Sequence, residues 1–253
     1  MAGTHIPVML VVGGSGSIGR VIVAHALAAG WRVALHGSSA ASAQAAAATL
    51  PASAALQSFG ADLTDPAASA ALVAAVGAWS GRIDAVVDCS TGGPKGLRVT
   101  GLFAETEPDG YDRVLALSIG TVQRLAHAAL PWLKREGGTF IAFASDAGRF
   151  AGARQALIGA SRSAIMGFVR NLAVEIARNG VRVHCISPGF VAETEIARRL
   201  ADGNGEQIER AARKAGLGLP TPEDIAPLVL FLCSDGAKRI TGQVFSVNGG
   251  MNA

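Results

Sequence analysis

Short apolar runs alternate along this chain with longer stretches whose apolar residues recur at helical spacing. The runs Pro7–Val12, Arg32–His36, Ala54–Ala61, Asp84–Cys89, Thr139–Ala144, Val181–Ile186 and Val244–Val247 predict strands. Between them, Ile18–Ala29, Ala40–Leu50, Pro66–Trp79, Tyr111–Lys134, Ala156–Arg178 and Pro222–Cys233 predict helices. Strands separated by helices need crossover connections. The pattern therefore predicts an α/β fold, with a doubly wound parallel sheet of about seven strands and helices on both faces.

Boundary residues support this reading. Asp65-Pro66 offers an N-cap followed by proline at the first helical position, and Gly30, Gly137 and Gly180 follow predicted helix ends. The alanine-rich stretch Ala40–Ala55 reads as a surface helix, because alanine is the best helix former. No internal repeat and no linker-like shift in composition occurs, so residues 1–253 read as one domain. The segment Phe190–Leu219 stands apart, rich in Glu, Arg, Gly and Asn and without a clear strand. It follows the carboxyl end of a predicted strand, where such sheets bind ligands, and reads as a lid over a substrate or as a surface insertion.

Composition narrows the class. Half of the 253 residues are hydrophobic and 16% are charged. A chain of this length can bury roughly 70–75% of its unfolded surface, which excludes a disordered, tail-like protein. No stretch approaches the ~18–20 consecutive apolar residues of a membrane span. Met1–Pro7 carries no basic leader, so secretion is not expected and a cytoplasmic location is. The net charge of +3 is scattered, and its densest groupings are the pairs Lys134-Arg135, Arg198-Arg199 and Lys238-Arg239 at predicted helix ends, so no nucleic-acid partner is expected. Cys89, Cys185 and Cys233 lie far apart inside apolar runs and read as reduced core residues. The five histidines show no ligand spacing with the cysteines or each other, so no metal site is expected.

Val8–Val12 runs directly into Gly13-Gly14-Ser15-Gly16-Ser17-Ile18-Gly19 and then a helix, the context in which glycines let a backbone approach a pyrophosphate. Farther on come Ala61-Asp62-Leu63, Ser187-Pro188-Gly189, Thr221-Pro222-Glu223-Asp224-Ile225-Ala226, Phe231-Leu232-Cys233-Ser234-Asp235, Ile240-Thr241-Gly242-Gln243 and Val247-Asn248-Gly249-Gly250. With these motifs the whole chain resembles the short-chain dehydrogenases/reductases. The resemblance implies a Rossmann-like fold, an NAD or NADP site, and hydride transfer assisted by a Ser, Tyr, Lys and Asn set. In that set a lysine ammonium favours the phenolate of a tyrosine whose ordinary pKa is near 10, while serine hydrogen-bonds the substrate oxygen.

Matched motif by motif, the family's serine falls on Ser145, but its Tyr-x-x-x-Lys falls on Ile158 and Arg162 and its helix asparagine on Ser118. Ile158 carries no exchangeable proton, and a guanidinium differs from an ammonium in shape. The single tyrosine, Tyr111, lies far from Ser145 in sequence. His184 and Asp146 are substitute acid–base candidates, read more simply as a core histidine and a turn residue. In the phosphate loop, Val12 replaces the family's threonine and Ser17 the glycine nearest the pyrophosphate. His36-Gly37-Ser38 offers neither the acid nor the base that would choose NAD or NADP. Asp88-Cys89-Ser90-Thr91, followed by Gly92 and Gly93, stands for the family's Asn-Asn-Ala-Gly. The vestigial cofactor positions are thus Gly13, Ser15, Ser17, Ile18, Gly19, Asp62 and Leu63, and the vestigial catalytic positions Ser118, Ser145, Ile158 and Arg162.

Loss of an acid–base group costs about 10²–10⁴-fold, and coupled groups fail together. The resemblance, so altered, implies a non-catalytic subunit that binds NAD(H) weakly or not at all. Its expected partner is a catalytic, NAD-binding paralogue, in a hetero-oligomer such as a tetramer. Ser145-Asp146-Ala147-Gly148-Arg149 and Ala164-Ile165-Met166-Gly167-Phe168 are similar to segments of hydroxyacyl-CoA dehydrogenases of anaerobic aromatic degradation, one of which pairs an active with an inactive subunit. An enzyme with non-standard acid–base chemistry and a nucleotide-binding sensor remain open on the sequence. So do the roles of Arg149, Arg154 and Arg162, for which neighbouring carboxylates are the default partners.

Overall fold

The computed structural model describes residues 5–90 and 99–252, apart from the side chains at 200, 202–204 and 207. Its sheet comprises β1 (Val8–Val12), β2 (Arg32–Gly37), β3 (Leu56–Gly60), β4 (Ala85–Asp88), β5 (Thr139–Phe143), β6 (Arg182–Pro188) and β7 (Val244–Val247). All neighbours pair in parallel in the order β3-β2-β1-β4-β5-β6-β7. The helices are α1 (Ser17–Ala28), α2 (Ala40–Ala47), α3 (Ala68–Ser80), α4 (Tyr111–Leu117), α5 (Ile119–Glu136), α6 (Ala156–Ile176), α7 (Glu195–Lys214) and α8 (Pro222–Cys233).

All five residues of β1 are buried, as a strand covered on both faces requires. Alternate residues feed opposite layers. Leu10 and Val12 join Val76, Leu125 and Ile165, from α3, α5 and α6, whereas Met9 and Val11 join Ile22, Ala43 and Val229, from α1, α2 and α8. Strand order reverses between β2-β1 and β4, opening a crevice at the carboxyl ends of β1 and β4, where ligands bind in sheets of this kind. Burial pushes the thiols of Cys185 and Cys233 up to about 12 and that of Cys89 well above its ordinary value, and the three cysteines are free.

Several boundaries differ from the sequence expectation for local reasons. The stretch Tyr111–Lys134 is two helices, broken at Ser118, whose φ of −93° and ψ of −87° leave the helical region. Pro66 does not open a helix: α3 begins at Ala68 with Ala67 as N-cap, because the Asp65 carboxylate accepts the Ala67 N–H at 2.9 Å within a turn. The alanine-rich helix stops at Ala47, and Ala156–Arg178 ends its α-helical part at Ile176 before a 3-10 turn. Ser187 and Pro188 lie in β6 rather than after it, held by pairing with Ser246 and Val247. Phe190–Leu219 contains the 20-residue α7, capped where the Thr194 hydroxyl accepts the Ala197 N–H at 3.1 Å. No helix of the described residues is long and apolar enough to cross a membrane.

Candidate functional site

The loop leaving β1 turns at once, through Gly14 N–H to Val11 C=O at 3.2 Å and Gly16 N–H to Gly13 C=O at 2.9 Å. The helix α1 then starts with no side-chain cap and no acid in its first turn, leaving a positive helix end free for an anion. A Cβ added at Gly19 would lie 2.3 Å from the Gly13 oxygen, so only glycine lets α1 rest on the loop.

His36 takes over the tie lost with threonine at Val12. Its Nδ1 accepts the Gly13 N–H at 3.1 Å and its Nε2 donates to the Ala61 carbonyl at 2.9 Å, which fixes a neutral ring. Burial lowers its pKa, offset in part by the Ala61 bond. A buried histidine one turn from a glycine loop is a legible signal only once the pairing of β1 with β2 is known. His36→Leu leaves a part-buried N–H and C=O without this partner, so it is expected to cost about 1 kcal/mol in urea unfolding. An unchanged midpoint would remove His36 from the loop's support.

The other predicted cofactor positions gather at the same end of the sheet. The Ser15 N–H donates to the His36 carbonyl at 3.2 Å, and half-buried Ile18 packs on the α1–α8 layer. The Ser17 hydroxyl accepts the Glu195 N–H at the start of α7, at 3.1 Å. Asp62 is exposed, its carboxylate accepting the Thr64 N–H at 3.0 Å, while Leu63 is part of the core. The uncapped α1 terminus and glycine turn fit the diphosphate of a dinucleotide, and Gly13, Gly14 and Gly16 would hold it. Such a cofactor supplies hydride transfer when bound.

Farther along the crevice lie the positions matched to the family's proton-handling set. Ser145, half-buried, uses its hydroxyl to cap the turn Asp146–Gly148, accepting the Ala147 N–H at 3.3 Å. Ile158 and Arg162 follow on the first turns of α6. Arg162 is 5% exposed and Asp88, at the end of β4, is fully buried. Burial pushes the Asp88 carboxyl up and the Arg162 guanidinium down, and each charge pulls the other back toward its ionised form. Asp88 is held further by the Ser90 N–H at 2.9 Å and the Ser90 hydroxyl at 2.5 Å. The cation at the family's lysine position thus acts through its charge on a buried carboxyl. Residues Thr91, Gly92 and Gly93, the rest of the altered Asn-Asn-Ala-Gly segment, lie outside the described residues.

The substitute acids and bases are engaged elsewhere. The Ser118 hydroxyl donates to the Val114 carbonyl at 2.7 Å, inside its own helix. Tyr111 pairs its hydroxyl with Thr106 at 2.6 Å and stacks on Phe103. Buried Asp146 accepts from Ser187 at 3.0 Å, Ser246 at 3.1 Å and Asn248 at 2.6 Å, tying the Ser145 turn to β6, β7 and the carboxyl-terminal tail. His184 is a core residue beside Phe245, held neutral by burial, with its pKa lowered to about 4. Arg149 donates to the Val244 carbonyl and the Ser246 hydroxyl, at 3.2 and 3.3 Å, so its partners are not the carboxylates expected by default. Arg154 is exposed at a φ of 67°, its carbonyl accepting the Gly101 N–H. Among the described residues no group of three or more potential ligands could hold a metal ion.

A family model described as enoyl-(acyl carrier protein) reductase matches residues 13–252. The 2-(S)-hydroxypropyl-CoM dehydrogenase 3 of Xanthobacter autotrophicus is 33% identical over 97% of this chain and 96% of its own length. The inactive 2-(S)-hydroxypropyl-CoM dehydrogenase 2 of the same organism is 35% identical over 90% of this chain and 98% of its own length. A short-chain dehydrogenase/reductase structure from Brucella melitensis superposes with a TM-score of 0.87, covering 98% of this chain and 97% of that one at 28% identity. With its seven-stranded sheet and glycine loop, the chain belongs to the short-chain dehydrogenase/reductase family.

Proposed function

We propose that this chain is a non-catalytic subunit that associates with a catalytic short-chain dehydrogenase and supports its NAD-dependent oxidation of a hydroxyacyl-CoA. The observation that carries this reading is buried Arg162 at the position matched to the family's lysine, with Ile158 at that of its tyrosine, so that Ser145 has neither a phenol nor an ammonium at the matched positions. Ile158 cannot move a proton, Ser118, Tyr111 and Asp146 are committed to other hydrogen bonds, and His184 is buried within β6 beside Phe245. One relative of 35% identity bears the name of an inactive dehydrogenase beside another dehydrogenase of the same organism. The hydroxyacyl-CoA substrate rests on the Ser145–Arg149 run, and the NAD belongs to the partner.

Purified alone, the chain is expected to form no NADH from NAD and a panel of hydroxyacyl-CoA thioesters. Ile158→Tyr with Arg162→Lys is expected to leave that result unchanged, because Asp88 and the altered phosphate loop remain. Added to a catalytic paralogue with an intact Tyr-x-x-x-Lys encoded beside it, the chain is expected to co-purify and to raise turnover. NADH formed by the isolated chain or by the double variant would overturn the reading, as would failure to associate with that paralogue.

A further inference from the structure

The two ends of the nucleotide crevice are joined by one contact that involves no ligand. Ser17 opens α1 and Glu195 opens α7, and the Glu195 N–H donates to the Ser17 hydroxyl at 3.1 Å. Among the described residues it is the one hydrogen bond from α7 to the rest of the domain. Among the described side chains of α7, only Ala211 is buried, and Ile196 is 64% exposed. At the amino end of α7, residues 195–199 are exposed or half-buried, and a helix end so placed is drawn from the low-stability end of a fold. By contrast, the base of the segment is clamped. The Ala192 N–H reaches the Pro220 carbonyl at 2.8 Å, and the Leu217 N–H reaches the Gly249 carbonyl at 2.9 Å. Gly249 has a φ of +63°, and a Cβ there would lie only 1.8 Å from the Gly218 oxygen, so glycine is required for that close approach. Glu193, just before the cap, holds a φ of 59°, a conformation that costs a residue with a Cβ.

Two helix amino termini therefore converge on one hydroxyl, and both carry partial positive charge. We infer that Ser17 is a latch: its hydroxyl holds the amino terminus of α7 closed over the phosphate loop and limits entry of a nucleotide diphosphate to this chain. A glycine at this position has no atom to offer Glu195, so α7 would be free to move when a diphosphate enters. Serine makes closure the resting state, and nucleotide binding must first break the contact. The device uses one side chain and does not depend on whether the chain turns over a substrate.

Hydrogen exchange and nucleotide titration test the latch with the full chain. Ser17→Ala and Ser17→Gly remove the acceptor, and Ser17→Thr keeps it. A net hydrogen bond corresponds to about a fivefold change in an equilibrium. Exchange of the amides in 194–199 is therefore expected to rise about fivefold in the alanine and glycine variants and to stay near wild type in the threonine variant. NADH and ADP are expected to bind the glycine variant at least fivefold more tightly than wild type. Unchanged exchange in Ser17→Ala overturns the latch, and that variant alters no backbone preference that would endanger folding. Raised exchange without tighter NADH or ADP binding overturns the gating of nucleotide. Neither readout uses turnover, so failure of the latch and failure of the non-catalytic assignment are distinguishable.

Discussion

Arg162→Met is expected to lower the unfolding free energy by about 1–3 kcal/mol, because the buried Asp88 carboxyl loses the cation whose charge favours its ionised form. Asp88 is fully buried, and burial already pushes its carboxyl toward the neutral form, with the Arg162 charge pulling the other way. Without that cation the Ser90 hydroxyl and N–H, at 2.5 and 2.9 Å, are left to support the charge. The double variant Asp88→Leu with Arg162→Met removes both charges together. It is expected to regain most of the loss, because an apolar replacement of a buried pair is often neutral or stabilising. Urea midpoints of wild type, Asp88→Leu, Arg162→Met and the double variant form the cycle. Equal losses in Arg162→Met and the double variant would mean that the two residues do not support each other. The basis for reading this crevice as structural would then be gone.

The parallel sheet was legible because its central strands, β1, β4 and β5, are short and largely apolar, a pattern that local sequence carries. The altered relay positions were legible for a different reason: the family's relay is a fixed spacing, and Ile158 and Arg162 stand on it in place of a tyrosine and a lysine. What the sequence could not show are pairings set by the topology. His36 and Gly13 are 23 residues apart, and only the adjacency of β1 and β2 brings a ring nitrogen to the loop that lost its threonine. Asp146 looks like a turn residue beside Ser145, yet its hydrogen bonds come from Ser187, Ser246 and Asn248, up to 102 residues away. The polar composition of Phe190–Leu219 concealed α7, because poor helix formers such as Gly203, Asn204 and Gly205 read as a loop even though the apolar residues of the segment recur on one helix face. The break at Ser118 was hidden within a continuous helical pattern, since nothing in the pattern of apolar residues marks a single non-helical ψ.

Below neutral pH the chain is expected to lose stability through His184. This ring is fully buried in β6 between β5 and β7, beside Phe245 at a centroid distance of 5.8 Å. Burial lowers its pKa from 6.5 to about 4, the Arg182 charge acts in the same direction, and the backbone at Ile240 offsets this in part. A base with a depressed pKa in the folded state binds its proton preferentially in the unfolded chain. The unfolded state therefore holds more protons between the two values, and stability rises with pH across that window. The contribution is fully present above about pH 6.5 and is lost as the pH falls toward 4. A shift of this size corresponds to about 3 kcal/mol, of which about 2.5 kcal/mol is lost between pH 7.5 and 4.5. Asp88 titrates with the opposite sign, since its raised pKa favours the folded state in acid, so the test compares wild type with His184→Leu rather than with itself at another pH. The variant keeps Asp88 and every surface carboxylate, and the difference isolates the histidine. Urea unfolding at the two pH values should show the wild type losing about 2.5 kcal/mol more than His184→Leu. Parallel losses would mean that His184 is protonated in the folded protein and that another group governs the acid response.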